Sequence, residues 1–309
     1  MVNVFIDGSA GTTGLKIVSR LSGRKDLRLI TLPEAQRKEI AARKDAMNRA
    51  DVVFLCLPDD AAREAVTLID NDRTAVIDTS TAHRTQAGWT YGFPEIGKLR
   101  DQIRVSKRIA NPGCHASGFI ALIAPLTLAG VLSPDAMLSC FSLTGYSGGG
   151  KKMIAEYEAA DRPSLLDAPR QYGVGQHHKH LPEMQKVCGL AAAPIFCPIV
   201  APYFSGMEVT VPLFASLVPG ERKTVEDVYR AAYDGNGLVR FVPEAGEGGF
   251  LSAGAFAGRD DMEISVQGNE DRLLLVARFD NLGKGASGAA IQNMNLLLGA
   301  DEKTGLVTG

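Results

Sequence analysis

The first third of the sequence alternates short apolar runs with polar segments of helical spacing. The apolar runs predict buried strands at 2–6, 27–32, 52–57 and 75–78. The segments between them predict helices at 14–22, 35–49 and 60–69. Strands that alternate with helices form βαβ units, whose strands run parallel in one sheet. The sequence therefore predicts an α/β fold with a parallel sheet.

The pattern changes near residue 114. A further strand is expected at 103–109, followed by a long apolar helix at 114–128. Beyond it, strands predominate, with a helix at 224–233 that Thr224 would cap. This part predicts a second, α+β domain with a mostly antiparallel sheet. We expect a first domain at 1–114, completed by a C-terminal helix within 284–309, and a second domain at 115–283.

A glycine-rich turn lies between the first predicted strand and helix. It reads Gly8-Ser9-Ala10-Gly11-Thr12-Thr13-Gly14. Glycines at this place let a pyrophosphate approach backbone N–H groups at a helix N-terminus. The turn predicts a dinucleotide site that includes Gly8, Ala10, Gly11, Thr12, Thr13 and Gly14.

The end of the second predicted strand indicates which dinucleotide binds. NAD sites usually carry an acidic residue there, which binds the ribose hydroxyls. This strand instead ends Thr31-Leu32-Pro33, and Arg37 and Lys38 follow. Two cations without the acid favour a 2′-phosphate, so we predict NADP, bound by Arg37 and Lys38.

Cys114 stands at the start of the long apolar helix, after Asn111-Pro112-Gly113. The positive end of a helix dipole and its free N–H groups favour a thiolate. The same N–H groups, together with the Asn111 amide, are suited to stabilise an oxyanion. We therefore predict that Cys114 is a nucleophile, with a buried structural cysteine as the alternative.

Three of the five histidines lie in Gln176-His177-His178-Lys179-His180-Leu181-Pro182-Glu183. A histidine here is a candidate acid/base for Cys114. His178 and His180 are two residues apart, so in an extended loop only one of them would face the cysteine. A zinc site and a hydrated polar loop are the alternatives; we expect no metal, because the spacing supplies too few ligands.

The segment Gly145-Tyr146-Ser147-Gly148-Gly149-Gly150-Lys151-Lys152 nearly matches a P-loop. A P-loop ends in a hydroxyl that binds magnesium, and Lys152 replaces it, which disfavours an ATPase. The glycines, with Ser147 and Lys151, are still suited to hold a phosphate or carboxylate.

The composition of the chain indicates which binding partners and which redox compartment to expect. The 309 residues carry a net charge of -2, which gives no basis for a nucleic-acid or membrane partner. The five cysteines are widely spaced and form no CxxC pair. We therefore expect a reduced, cytoplasmic protein without a signal peptide.

Taken together, the motifs resemble the N-acetyl-gamma-glutamyl-phosphate reductases of the shorter, type 2 form. The resemblance covers nearly the whole chain. Its pieces, in order, are Asp7–Gly14, Asp78–Arg84, Asn111–Cys114, Ser147–Lys151, His178–Glu183 and Asn281–Ala286.

This resemblance implies a Rossmann domain, an oligomer-forming α+β domain, NADP and a role in arginine biosynthesis. It makes Cys114 the nucleophile and brings His178, His180 and Glu183 to the active site. It adds Ser80, Asn281 and Lys284 to the cofactor site. The candidates for substrate binding are then Ser147, Gly148, Lys151 and Arg108. The two cations among them, Lys151 and Arg108, are candidates to bind the carboxylate of the substrate. We expect a homodimer or homotetramer.

The sequence departs from the family at two places. His115 stands where an aromatic residue is common, and Arg259-Asp260-Asp261 replaces an expected Thr-Asn. The rival functions are a related aspartate-semialdehyde dehydrogenase, a cofactor-binding regulatory module and, more remotely, a cysteine hydrolase. The Pro112-Gly113 pair argues against an aspartate-semialdehyde dehydrogenase. The context of Cys114 argues against a regulatory module without catalysis. The glycine turn argues against a cysteine hydrolase, which would not need it.

Overall fold

The computed structural model describes residues 1–235 and 237–309, and the chain divides into two compact units. Unit 1 contains residues 1–94, 98–113 and 286–306, and unit 2 contains residues 95–97, 114–285 and 307–309. The strands are β1 Val2–Asp7, β2 Leu27–Ile30, β3 Val52–Leu55, β4 Ala75–Asp78, β5 Thr90–Tyr91, β6 Arg108–Ala110, β7 Ser139–Gly145, β8 Arg170–Gln171, β9 Ile195–Ala201, β10 Met207–Phe214, β11 Val239–Phe241, β12 Met262–Gly268 and β13 Arg272–Phe279. The α-helices are α1 Thr12–Leu21, α2 Ile40–Arg49, α3 Asp59–Thr67, α4 Leu99–Val105, α5 Cys114–Leu128, α6 Gly150–Glu158, α7 Leu181–Val187, α8 Glu221–Tyr233 and α9 Gly288–Leu297.

Unit 1 is built on a six-stranded sheet in the order β2-β1-β3-β4-β6-β5. Every neighbouring pair is parallel. Successive side chains of β1 alternate between two cores, with Val4 packing toward α1, α4 and α9 and Phe5 toward α2 and α3. Both faces of the sheet are therefore covered, as the continuous apolar strands require. The predicted parallel α/β architecture is confirmed.

One predicted strand is wrong. Residues 103–109 do not form a single strand, because Ile103 belongs to α4 and only Arg108–Ala110 joins the sheet as β6. Ile103 is fully buried in the core shared by α4 and α9. Its apolar character therefore reflects helix packing rather than a strand.

Unit 2 contains a seven-stranded sheet in the order β11-β12-β13-β10-β7-β9-β8. The β11–β12 and β7–β9 pairs are parallel. The other four pairs are antiparallel. The predicted α+β architecture with a mostly antiparallel sheet is therefore confirmed.

The apolar helix α5 has the predicted bounds and lies against β10 and β13. Pro125 inside it has no N–H group, so the carbonyl of Ala121 loses its helical donor. The Tyr233 hydroxyl donates to that carbonyl at 2.6 Å, and the Tyr229 hydroxyl donates to the Leu122 carbonyl at 2.7 Å. Helix α8 thus supplies hydrogen bonds where a proline disturbs α5.

Two helix starts differ from their predictions. Helix α8 begins at Glu221 rather than after Thr224, because Gly220 adopts φ +79° and caps it. The last helix is preceded by a π-helical segment at Gly283–Ser287. Along the described residues, none of the helices combines the length and apolar character that a membrane span needs.

Candidate active site

The glycine turn of unit 1 has the geometry expected of a strand-to-helix phosphate site. Gly8 adopts φ +82°, and a Cβ there would overlap the Cys56 carbonyl. The Gly11 N–H donates to the Gly8 carbonyl at 2.9 Å. A Cβ on Gly14 would overlap the same Gly8 carbonyl. Two of the three glycines are therefore required by the tight turn itself.

Two features of the same turn fit an anionic ligand. Thr12 and Thr13 open α1, where backbone N–H groups lack helical acceptors. The Thr12 hydroxyl is buried and has no hydrogen-bond partner among residues 1–235 and 237–309. A buried polar group is normally paired. The residues present therefore fit a bound pyrophosphate.

The chain after β2 carries two cations, Arg37 and Lys38, with Glu34 shortly before them. Strand β2 ends at Ile30, and a short 3₁₀ turn at Glu34–Gln36 follows. Arg37 and Lys38 come directly after this turn and are exposed. The predicted helix at 35–49 begins only at Ile40. Their exposure allows both side chains to reach a 2′-phosphate. The role of Arg37 and Lys38 in binding that group stays a prediction.

A buried network closes the carboxyl end of β4. Asp78 Oδ2 accepts a hydrogen bond from the Ser80 hydroxyl at 2.7 Å and lies 2.6 Å from His83 Nδ1. The His83 ring stacks on Trp89 with centroids 4.0 Å apart. Ser80 is thus hydrogen-bonded to Asp78, and its role in cofactor binding stays a prediction. Sequence reasoning noted this motif but gave His83 no function.

Asn111 is fixed from several sides within unit 1. Its Nδ2 donates to the Ala286 carbonyl at 3.0 Å, and its Oδ1 accepts from Asn293 Nδ2 at 3.2 Å. Arg84 Nε donates to the Asn111 carbonyl at 2.9 Å. These bonds hold the turn before Cys114 in one conformation. The predicted oxyanion role of Asn111 would have to use the remaining amide proton.

Cys114 is the first residue of α5 and is partly exposed, in contrast to the following residues 115–126, which are buried. It therefore meets the helix dipole as predicted. The π-helical segment contacts it closely, because a Cβ on Gly285 would lie 3.0 Å from the Cβ of Cys114.

The loop before α7 brings both histidines of the HxH motif together. Leu181 N donates to the His178 carbonyl at 3.0 Å, which closes a turn. The rings of His178 and His180 consequently lie 4.7 Å apart. The loop is therefore not extended at this point, and which of the two histidines faces Cys114 stays a prediction.

The two histidines differ in their surroundings. His180 is buried, and its Nε2 lies 4.0 Å from Oε1 of the buried Glu183. Burial and the nearby charge of Lys179 lower the pKa of His178 to about 4. His178 is therefore neutral at pH 7, whereas Glu183 is placed to orient His180.

His115 joins this loop to the helix that carries Cys114. Its ring lies 5.6 Å from His180 and 5.8 Å from His178, measured between centroids. Its Nε2 is 2.6 Å from the Tyr172 hydroxyl, and its Nδ1 is 2.6 Å from Ser142 Oγ. Sequence reasoning missed Tyr172 and Ser142; the departure at His115 was the available signal.

Buried hydrogen bonds hold the glycine loop of unit 2. Ser147 is buried, and its Oγ accepts from Asn281 Nδ2 at 3.0 Å, while Asn281 Oδ1 accepts from the Gly206 N–H at 3.0 Å. Lys151 is exposed in the first turn of α6. Within unit 2, Asn281 thus supports the Ser147 turn, and its contact with the cofactor stays a prediction.

Two cationic residues predicted for the site have hydrogen-bond partners within the protein. Lys284 is buried, and its Nζ donates to both carboxylate oxygens of Glu95 at 2.8 and 2.9 Å. Arg108 opens β6, at the opposite end of the strand from Asn111, and donates to the carbonyls of Thr74 and Lys107. The roles of Lys284 in cofactor binding and of Arg108 in substrate binding stay predictions.

The Arg259-Asp260-Asp261 departure has a structural explanation. Arg259 donates to both oxygens of Asp261 at 2.8 and 2.6 Å, and Arg240 donates to Oδ2 at 2.8 Å. Asp261 is thus a buried acceptor for two arginines. Among the residues that the structure describes, no three His, Cys, Asp or Glu side chains gather to hold a metal ion.

Comparison with known proteins identifies the family of both units. Residues 3–105 match the family model described as semialdehyde dehydrogenase, NAD binding domain. Residues 114–281 match the model described as semialdehyde dehydrogenase, dimerisation domain. Among solved structures, aspartate semialdehyde dehydrogenase II from Vibrio cholerae matches with TM-score 0.71 and 16% identity, covering 96% of this chain and 98% of that one. The NADP complex of the Candida albicans aspartate semialdehyde dehydrogenase matches with TM-score 0.65 and 15% identity, again covering 96% and 98%. These two structures share the fold.

Sequence relatives are much closer. N-acetyl-gamma-glutamyl-phosphate reductase 2 of Pseudomonas putida is 45% identical over 306 residues, which cover 96% of this chain and 97% of the relative. The N-acetyl-gamma-glutamyl-phosphate reductase of Rhizobium meliloti is 46% identical over 308 residues, covering 96% and 99%. The chain therefore belongs to the N-acetyl-gamma-glutamyl-phosphate reductase family.

Proposed function

We propose that this protein reduces N-acetyl-L-glutamyl 5-phosphate to N-acetyl-L-glutamate 5-semialdehyde, with NADPH as reductant and release of phosphate, in arginine biosynthesis. The observation that carries the proposal is the gathering of His178 and His180 around His115, the residue after Cys114. A nucleophile and a candidate acid/base thus share one region of unit 2. The identity to the two reductases supports the choice of substrate.

The cofactor would lie along the Gly8–Gly14 turn. Its pyrophosphate would accept hydrogen bonds from the first N–H groups of α1 and from the Thr12 hydroxyl. Arg37 and Lys38 would pair with the 2′-phosphate. Bound NADPH supplies the hydride that reduces the acyl carbon.

Cys114 carries the substrate covalently. Its sulfur attacks the acyl carbon, the bond from that carbon to the phosphate oxygen breaks, and phosphate leaves with the bonding electrons. The product is a thioester, which is reduced and then releases the aldehyde as the carbon–sulfur bond breaks. Division of one difficult substitution into two steps is the gain of covalent catalysis. The N-terminus of α5 stabilises the thiolate at the start and at the end.

His180 moves the proton. It takes the thiol proton before the sulfur attacks and returns a proton to the sulfur after the aldehyde has left. Glu183, 4.0 Å from its Nε2, holds the ring in orientation. Ser147, Gly148 and Lys151 bind an anionic group of the substrate, with Asn281 supporting the turn.

The test is the reverse reaction, which reduces NADP⁺ in the presence of phosphate. N-acetylglutamate 5-semialdehyde and aspartate semialdehyde are offered separately. We expect the acetylated substrate to be favoured in kcat/KM by more than about 100-fold, because a pocket built for a neutral amide pairs poorly with a free ammonium. A preference for aspartate semialdehyde would overturn the proposed substrate. Cys114→Ala should bind NADPH normally and show no turnover with either compound.

We also propose that the functional form contains a second copy of the chain. The sheet face of unit 2 that lies away from α5 exposes Phe141, Ile195, Phe214 and Leu274 by 40 to 64%. Apolar side chains on one face need a cover, and the match to a dimerisation domain supports a copy of this chain in that place. Light scattering after size exclusion should give at least a dimer, and Phe214→Glu should lower the mass. The five free cysteines are compatible with the reducing cytoplasm in which we place it.

A further inference from the structure

The departure at His115 creates a hydrogen-bonded chain that reaches back toward the nucleophile. Ser142 on β7, His115 on α5 and Tyr172 beside β8 are joined by two contacts of 2.6 Å. His115 and Ser142 are buried, with exposures of 3% and 0%. Burial and the charges of His178 and Lys179 lower the pKa of His115 to about 3. Its ring is therefore neutral at pH 7 and carries one N–H group.

The position of that single proton follows from Ser142. Within the described part of the chain, His115 is the hydrogen-bond partner of the Ser142 hydroxyl. If His115 Nδ1 carried the proton, the buried Ser142 proton would be left without an acceptor. Buried donors without acceptors are costly. Ser142 therefore donates to Nδ1, and the His115 proton resides on Nε2.

This arrangement determines what Tyr172 can do. His115 Nε2–H donates to the Tyr172 oxygen, so the phenolic proton is not consumed by the imidazole. His115 directly follows Cys114 at the start of α5, so the Tyr172 hydroxyl that His115 contacts lies in the neighbourhood of the nucleophile. Burial, and secondly the charge of Cys114, raise the pKa of Tyr172, which keeps it a protonated donor.

We propose that His115 is a positioning residue that orients the Tyr172 hydroxyl to donate a hydrogen bond to the sulfur of Cys114. The donor stabilises the thiolate before attack and again when the aldehyde leaves. Ser142 fixes the tautomer that makes this donation possible. The inference rests on the proposed role of Cys114 as nucleophile.

The test measures the nucleophile without turnover. The rate of alkylation of Cys114 by iodoacetamide is followed between pH 5 and pH 10 on the full chain, with Cys114→Ala as background. Tyr172→Phe should raise the apparent pKa of Cys114 by about one unit, the value expected when a thiolate loses one hydrogen bond. Alkylation below that pKa should then slow about tenfold.

Variants of His115 separate orientation from packing. His115→Phe should give the same shift as Tyr172→Phe, and the double variant should shift no further, since both remove one interaction. His115→Gln places an amide donor near the former Nε2 and should restore most of the parent profile. Tyr203→Phe, which removes a buried hydroxyl elsewhere in unit 2, is the matched control and should leave the profile unchanged.

An unchanged profile in Tyr172→Phe overturns the proposal. Equal shifts in His115→Phe and His115→Gln also overturn it, because packing rather than donation would then be responsible. Where His115→Phe fails to fold, Ser142→Ala replaces it and should shift the pKa in the same direction by a smaller amount. Because alkylation needs no substrate, a shift found without reductase activity would contradict the proposed function and leave this inference standing.

Discussion

Gly285 and Cys114 approach so closely that an added Cβ on Gly285 would lie 3.0 Å from the Cβ of Cys114. The same Cβ would meet the Asp280 carbonyl at 3.1 Å and the Phe279 ring at 3.2 Å. The nucleophile is thus confined by a π-helical segment that has no side chain at the point of contact. Such segments are frequent at functional sites.

Gly285→Ala should displace Cys114 and lower kcat. The neighbours of the added Cβ must give way by a few tenths of an ångström, so the fall in kcat should be smaller than the roughly 100-fold loss that a misplacement of about 1 Å causes. NADPH affinity should not change, because the glycine turn belongs to unit 1. Steady-state kinetics and a fluorescence titration with NADPH measure the two effects. Gly23→Ala, where an added Cβ meets nothing within 4 Å, is the matched control. Parent kcat in Gly285→Ala would show that the close approach has no catalytic weight.

The two histidines of the HxH motif should differ in their effect on the pH–rate profile. Because its pKa is lowered to about 4, His178 is deprotonated throughout the neutral range and cannot act there as an acid. His178→Asn should therefore keep the shape of the kcat profile between pH 6 and pH 9. His180→Asn should lower kcat by about 100- to 10,000-fold, the usual contribution of a general acid/base. If only His178→Asn removes the pH dependence of kcat, His178 rather than His180 is the general acid/base.

Replacement of Arg37 and Lys38 by alanine should reduce the preference for NADPH. The 2′-phosphate would lose two cations, while NADH lacks that group and should be used as before. We expect the ratio of kcat/KM values for NADPH and NADH to fall at least about tenfold. Arg63→Ala, which removes an exposed cation of α3, is the control. An unaltered ratio in the double variant would show that Arg37 and Lys38 do not contribute to the preference for NADPH.

Tyr233→Phe should lower the free energy of unfolding. The variant leaves the Ala121 carbonyl, already deprived of its helical donor by Pro125, without the 2.6 Å bond from Tyr233. A buried acceptor left without its donor costs about 1–3 kcal/mol. Urea unfolding followed by circular dichroism measures the change. Tyr203→Phe removes a buried hydroxyl that has no partner among the described residues, so it should be neutral or stabilising. A loss as large in Tyr203→Phe would contradict this account of Tyr233.

Most strands and helices could be predicted because the apolar patterns that specify them lie within short segments of the sequence. Strands β1 and β4, and helix α5 with its exact bounds, follow from apolar runs and their flanking glycines and prolines. Ile103 was misassigned because its burial comes from α9, which lies far along the chain. The start of α8 was missed because it depends on the left-handed conformation of Gly220.

A site residue could be predicted where one short motif contains both the residue and the feature that gives it its chemistry. Cys114 at a helix start is such a case. Tyr172 and Ser142 were not predictable, since each is brought to His115 by a different strand of the sheet. The family resemblance placed Lys284 in the cofactor site, but its ion-pair partner Glu95 is nearly two hundred residues away, and only the fold reveals that pair.

Helix α9 lies in the same core as β1 and α1, although almost the entire chain separates them. Ala290, Ile291 and Met294 are fully buried there beside Val4 and Ile17. During synthesis, the N-terminal strands therefore leave the ribosome long before the residues that cover them. Helices α1 and α4 cover part of this face earlier, but the core of unit 1 is complete only after α9 has been translated. A transcript that stops before α9 would then yield a chain whose cofactor domain stays exposed to proteases and chaperones, even though every residue of the glycine turn is present.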